Sequence, residues 1–236
     1  MSLNFKKYTL LFLFLASFLN FAKATPTANK SLQKVYEKLM KLKDYSAEVN
    51  IQSNIPLIKI LPVKAKIYFK QPNQFKIMAK GIAILPKQGF SDLALILKDS
   101  NSYLAVLAGN ETIDQTATQI IHLIPNNENN DLIIGKFWVD TKNAIVLKSQ
   151  LTTKSNGNLL INYQYDAAGK AYGLPNHLLF TVDVKKFKIP KALAADVNKT
   201  KSASTLSANQ SKTGSIDIRL INIQINKGVE DKVFKK

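Results

Sequence analysis

Between Val63 and Lys80 apolar and polar residues alternate in two short runs, Val63 to Lys70 and Gln74 to Lys80, split by Gln71-Pro72-Asn73. Successive side chains of a strand point to opposite faces, so the pattern dictates a β-hairpin with one oily face. Val63, Ala65, Ile67, Phe69, Phe75, Ile77 and Ala79 share that face; Lys64, Lys66, Lys70, Lys76 and Lys80 share the other. A sheet with two such unlike faces needs a cover on the oily one. After Gly81 the period changes. Phe90, Leu93, Ala94 and Leu97 recur at helical spacing, with Pro86 and Gly89 before them and Asp99-Ser100-Asn101 after, which predicts a short helix set between strands. Such a helix serves either as a fixed plug or as a lid over a cavity.

The remaining chain extends the pattern. Asn29 to Lys43 reads as an amphipathic helix with Leu32, Val35, Tyr36, Leu39 and Met40 on one stripe, capped by Ser31 or Asn29. Tyr45 to Gln52 alternates as a first strand. Ser102 to Ala108 and Gln115 to Ile124 read as strands joined across Gly109-Asn110, and Leu132 to Asp140 and Ala144 to Thr152 as a pair across Thr141-Lys142-Asn143. Asn156-Gly157 is the strongest hairpin signal and leads into Leu159 to Tyr165. His177 to Lys188 follows the Gly173-Leu174-Pro175 turn. In Ser215 to Asn226 the apolar parity slips between Leu220 and Ile221, a fault that a β-bulge repairs. Serial hairpins with short connections predict an antiparallel meander that curls. Lys191 to Gly214, rich in Lys, Ser, Thr, Asn and Ala and without aromatics, reads as a flexible surface loop.

The first 24 residues read as a secretory signal peptide: Lys6 and Lys7, an apolar run from Tyr8 to Leu19, then Ala22-Lys23-Ala24 in a small-x-small pattern. The run is about half the roughly 20 residues that cross a bilayer. Residues 25–236 then form one exported domain, large enough for a sizeable core or cavity. There is no cysteine, hence no disulfide, thiol nucleophile or lipidated thiol.

Three of the 33 basic and none of the 16 acidic residues fall in the leader, so the net charge of +17 becomes +14 without it. Arg219 is the sole arginine. Nucleic-acid readers rely on arginine for two-pronged contacts, and these lysines alternate along strands instead of clustering, so a nucleic-acid partner is not expected. Transient attraction to an anionic membrane surface is the functional reading of the charge; a solvated strand face is the plain one.

Little points to catalysis. His122 and His177 lie in or at the start of apolar strands without an acidic or histidine partner at ligand spacing. No Gly-x-Ser-x-Gly, phosphate loop or His-Glu-x-x-His occurs, and Asp92, Asp99, Asp114, Asp131, Asp140, Asp166 and Asp231 sit mainly at element ends, where capping and turn roles account for them. No metal site, cofactor or catalytic residue is expected. Apolar surface is what the chain has in excess.

The order of these parts resembles a known family. An N-terminal helix, the strand pair Lys64 to Met78, the helix Phe90 to Leu97, Ile121 to Pro125, Phe137-Trp138-Val139-Asp140, the Leu174-Pro175 turn and the ending Asn226-x-Gly228-x-x-Asp231-x-x-Phe234 together resemble the periplasmic outer-membrane lipoprotein carriers, the LolA-like sorting proteins. The resemblance implies a mainly β fold, an incomplete, half-open antiparallel β-barrel with an α-helical lid, that shelters acyl chains of lipoproteins or free lipid without catalysis. It implies a monomer that carries cargo through the periplasm toward the outer membrane. The family's lid-latching arginine has no counterpart, because Arg219 lies on a late strand. Transferred to this chain, the lipid-binding residues are Ile67, Phe69, Phe75 and Ile77 from the hairpin, Phe90, Leu93 and Leu97 from the lid, and Phe180 and Val182 from the strand after Pro175. The alternative on the same fold is an envelope sensor or a polysaccharide- or protein-binding module with a packed core.

Overall fold

The computed structural model describes residues 26–56, 61–79, 90–155, 157–183 and 213–235. Helix α1 (Pro26–Leu39) leads into β1 (Asp44–Asn54), β2 (Val63–Lys70) and β3 (Gln74–Ala79). Helix α2 (Phe90–Leu97) precedes β4 (Tyr103–Ile113), β5 (Thr116–Pro125), β6 (Leu132–Asp140), β7 (Ile145–Thr153) and β8 (Gly157–Gln164). A short helix α3 (Ala167–Tyr172) then leads to β9 (His177–Asp183) and β10 (Thr213–Ile225). The expected leader, Lys80, Gly81, Pro86, Gly89 and the strand beyond Asp183 lie outside the described residues. So does most of the expected 191–214 loop, whose last two residues, Thr213 and Gly214, belong to β10.

All ten strands form one antiparallel sheet in the order β3-β2-β1-β10-β9-β8-β7-β6-β5-β4. Among the described residues the ends do not meet, so β3 and β4 are the two edges and the barrel stays half open. Register keeps the apolar sets together: Tyr45 faces Phe69, Val49 faces Ala65 and Leu220, and Phe180 lies between Ile161 and Ile216. The parity slip expected after Leu220 is present. Ser46 pairs with Gln224 but Glu48 with Ile221, and Asn222 takes a left-handed backbone at φ 54°. The extra residue returns Ile225 to the inner face, opposite Tyr45.

Three boundaries differ from the sequence reading, each for a local reason. The β4–β5 hairpin turns at Asp114-Gln115, not Gly109-Asn110; both turn residues have positive φ, 45° and 63°, as a two-residue primed turn requires. Gly109, at φ 145°, marks a bulge inside β4 where the register shifts after Leu107. Helix α1 already includes Pro26, so Asn29 and Ser31 lie within it and not at its cap; Ser31 Oγ instead donates to Gln119 Oε1 at 2.8 Å. Helix α3 escaped the periodicity because it is only six residues long. Its signals were its ends: Asp166 accepts from the Gly169 N–H at 2.6 Å, and Gly173 closes the helix at φ 71°.

Helix α1 lies in the concave face. Ala28, Leu32, Val35 and Leu39 are buried along one stripe, while Lys30, Gln33, Lys34 and Glu37 face water. It packs against β4 and β7, and against α2 and α3. The half of the sheet beneath it is dry, with Ile121, Leu123, Phe137 and Val139 fully buried.

Charge is divided along the same sheet. Residues 99–135, which span β4, β5 and the start of β6, contain no lysine or arginine and five carboxylates. The basic residues concentrate elsewhere, including Lys64, Lys66, Lys70 and Lys76 on the opposite edge.

Gly173 is a test of how α3 is joined to α1. A Cβ there would sit 3.1 Å from Leu39 Cδ2, on a backbone that L-residues adopt only under strain. Gly173→Ala should lower stability by about 1–2 kcal/mol, seen in urea as a shifted midpoint with unchanged slope. An unaltered midpoint would show that the turn relaxes freely.

Candidate functional site

The half of the concave face that α1 leaves uncovered encloses a cavity of about 610 Å³. Its floor is the inner face of β1, β2, β3, β9 and β10, through residues such as Val49, Ile67, Ile77, Phe180 and Ile218. Tyr45 and Phe69 stack there, with ring centroids 5.5 Å apart. Burial pushes the Tyr45 hydroxyl far above its ordinary range, so the ring enters the wall as a neutral aromatic. One rim is the end of α1, with Tyr36, Leu39, Met40 and Leu42. A second is the Gln71-Pro72-Asn73 turn, held by Gln71 Nε2, which donates to the carbonyls of Leu42 at 2.8 Å and Met40 at 3.2 Å. The third is helix α2, through Ala94, Leu95 and Lys98. The wall is mainly apolar, with Gln71, Asn73 and Lys98 at its rims, which suits an apolar guest.

Of the residues expected to meet lipid, Ile67, Phe69, Phe75, Ile77 and Phe180 line this cavity. Leu97 and Val182 do not. Leu97 is fully buried in the core, and Val182, 1% exposed, packs opposite Gly214 and Leu159. Leu93 packs partly buried against the core. The side chain of Phe90 lies outside the described residues. Of the helical stripe, Leu97 is buried and Leu93 partly so, and both anchor α2 to the core. The cavity is met by Ala94 of that stripe together with Leu95 and Lys98 beside it, which the periodicity marks as the outer side. Leu95 is 56% exposed and Phe75 48%, a high value for apolar residues and a signal of a mouth.

The lysine row on the outer face is less uniform than its sequence. Lys70 pairs with Asp231 at 2.6 Å and Lys76 donates to the Lys235 carbonyl at 2.9 Å, so both hold the C-terminal segment. Lys64 and Lys66 remain exposed beside a second, open concavity of about 680 Å³ that also includes Glu48 and Asn50. That groove carries charges of both signs at its edge, whereas the cavity under α2 carries one.

No protein-family model matches the chain, and no curated protein matches it in sequence. Solved structures do match in fold. A DUF1329 family protein from Desulfovibrio piger aligns with a TM-score of 0.57 at 11% identity, over 89% of this chain and 98% of its own. A putative outer membrane lipoprotein-sorting protein domain from Vibrio parahaemolyticus gives 0.56 at 10%, over 88% and 97%. A LolA superfamily protein from Nitrosomonas europaea gives 0.51 at 14%, over 89% and 97%. The fold is therefore LolA-like: a half-open β-barrel with a helical lid. No helix among the described residues is long and apolar enough to cross a membrane.

Several polar side chains among the described residues serve the structure. Asp140 is buried and accepts from the Lys142 and Asn143 N–H groups at 3.0 Å; Asp99 accepts from the Asn101 N–H at 2.9 Å. No group of three or more His, Cys, Asp or Glu gathers among the described residues. His177 has an acidic partner after all, because antiparallel pairing of β9 and β10 brings Asp217 to its Nε2 at 3.0 Å from forty positions away. Gln164 meets its Nδ1 at 2.8 Å, and Arg219 Nε donates to Asp217 at 3.0 Å. Burial raises the Asp217 carboxyl, but hydrogen bonds from Arg219 and His177, with their charges, outweigh it and hold the group below its ordinary 3.8. A depressed carboxyl adds stability above its unfolded value and loses it as pH falls through its folded value. Stability should accordingly drop as pH falls below about 4, and Asp217→Asn should remove part of that drop. Superimposable acid limbs for the two proteins in chemical denaturation would refute the assignment.

Proposed function

We propose that this protein is an exported, non-enzymatic carrier that shelters acyl chains of lipoproteins or other lipids and moves them through the periplasm toward the outer membrane. The observation that supports the reading is the apolar cavity of about 610 Å³ between the uncovered half of the sheet and helix α2. Transfer of hydrocarbon from water into such a wall is worth about 0.8 kcal/mol per methylene. An eight-residue helix has little stability of its own, so α2 depends on what it rests on. With Leu97 locked in the core and Leu95 over the cavity, the helix is held at its end and senses cargo along its flank. In this reading Lys64 and Lys66 assist transient contact with anionic membrane surfaces, the protein acts as a monomer, and residues 1–24 are removed on export.

Leu95 and Phe75 separate binding from folding, since both are half exposed. Replacing both by Gln should lower affinity for a fluorescent fatty acid at least tenfold while changing stability by less than about 1 kcal/mol. Lipid should also slow hydrogen exchange at the amides of Leu93 to Leu97. Equal, strand-like protection of these amides with and without lipid, or a protein that neither binds the probe nor co-purifies with lipid in native mass spectrometry, would overturn the carrier reading.

A further inference from the structure

The cavity has two properties that narrow its guest beyond hydrocarbon. The first is size. A methylene needs about the 30 Å³ that a water molecule occupies in the liquid, so 610 Å³ holds on the order of 20 of them. That is the size of one long acyl chain. The second is charge. Among the described residues that line the cavity, Lys98 is the single charged one, and it stands at the exposed rim on the end of α2. No carboxylate pairs with it: its neighbour Asp99 accepts instead from the Asn101 N–H, and the ion pairs of the described residues lie at Lys70, His177, Arg219 and Lys232. Asn73, exposed at the same mouth, adds an amide donor. The groups at the opening thus donate hydrogen bonds and carry positive charge, while the interior accepts only hydrocarbon.

We propose that the site takes a single-chain anionic amphiphile, one chain per protein, with its carboxylate or phosphate head against Lys98. The proposal rests on the carrier reading and specifies its guest. An amphiphile so placed leaves its head half in water, so the ion pair refines selectivity and the chain supplies most of the affinity.

Titration of the full chain with palmitate, hexadecan-1-ol and dipalmitoyl phosphatidylglycerol, each displacing a fluorescent fatty acid, tests this. Palmitate should bind with one site per protein, hexadecanol about three- to fivefold more weakly, and the diacyl lipid should displace little probe. Lys98→Gln should bring palmitate down to the level of hexadecanol, and Lys34→Gln, on the water-facing side of α1, should leave both unchanged. The palmitate preference should shrink at high salt. Two palmitates per protein, or a diacyl lipid that competes equally, would overturn the one-chain assignment. Palmitate binding that is indifferent to Lys98→Gln would overturn the head-group assignment, with hexadecanol binding still upholding the carrier reading. If no chain binds at all, the carrier reading falls as well.

Discussion

Burial of helix α1 against the β4 and β7 side of the sheet is the contact on which the rest of the structure depends. A curled sheet with two free edges has a concave apolar face that one helix cannot fill. Where the stripe Ala28, Leu32, Val35 and Leu39 lands, the face closes into a dry core around Ile121, Leu123 and Phe137. Where it does not, Tyr45, Phe69, Ile77 and Phe180 are left facing a void. The cavity is thus a result of off-centre coverage. The same helix end that limits the dry core supplies Tyr36 and Met40 to the rim, so core and cavity share one boundary.

The sequence disclosed the sheet far better than the cavity. Strict alternation and the Asn156-Gly157 turn made ten strands legible, and even the bulge in β10 announced itself as a change of parity at Leu220 and Ile221. Turns without glycine were harder. Asp114-Gln115 took the β4–β5 hairpin because aspartate and its neighbour adopt positive φ there, while Gly109, the apparent turn, was used for a bulge. Helix periodicity located the buried stripe of α2 at Leu93 and Leu97 but could not say that a second face would also meet protein. That is why the helical pattern points to Leu97, which sits in the core, and passes over Leu95 and Lys98, which line the cavity; on β9, strand parity alone cannot separate the lining Phe180 from Val182, which packs in the core. A pairing across forty residues, His177 with Asp217, is equally invisible until the strand order is known.

Several polar groups among the described residues serve two structural tasks. Asp99, Asp140 and Asp166 tie turns and caps, and Asn226 clamps the start of β1 by accepting from the Lys43 N–H at 2.8 Å and donating to the Lys41 carbonyl at 3.0 Å. The C-terminal segment continues that clamp to the outer side of the hairpin through Lys70 and Asp231. The hairpin that forms the far wall of the cavity is thereby braced from outside, which allows its inner face to stay unfilled without the two strands folding inward.

The lysine-free tract of residues 99–135 gives the molecule an electrical axis. One free edge of the sheet carries carboxylates alone among its charged residues, and the other is rich in ammonium groups. A body with this separation of charge experiences a torque in any external field, so its approach to a negative surface is oriented before contact. The end that turns forward is the β2–β3 end, and the mouth of the cavity belongs to that end. Such a body would meet a negative surface with the opening, and not the sealed side, toward the charge.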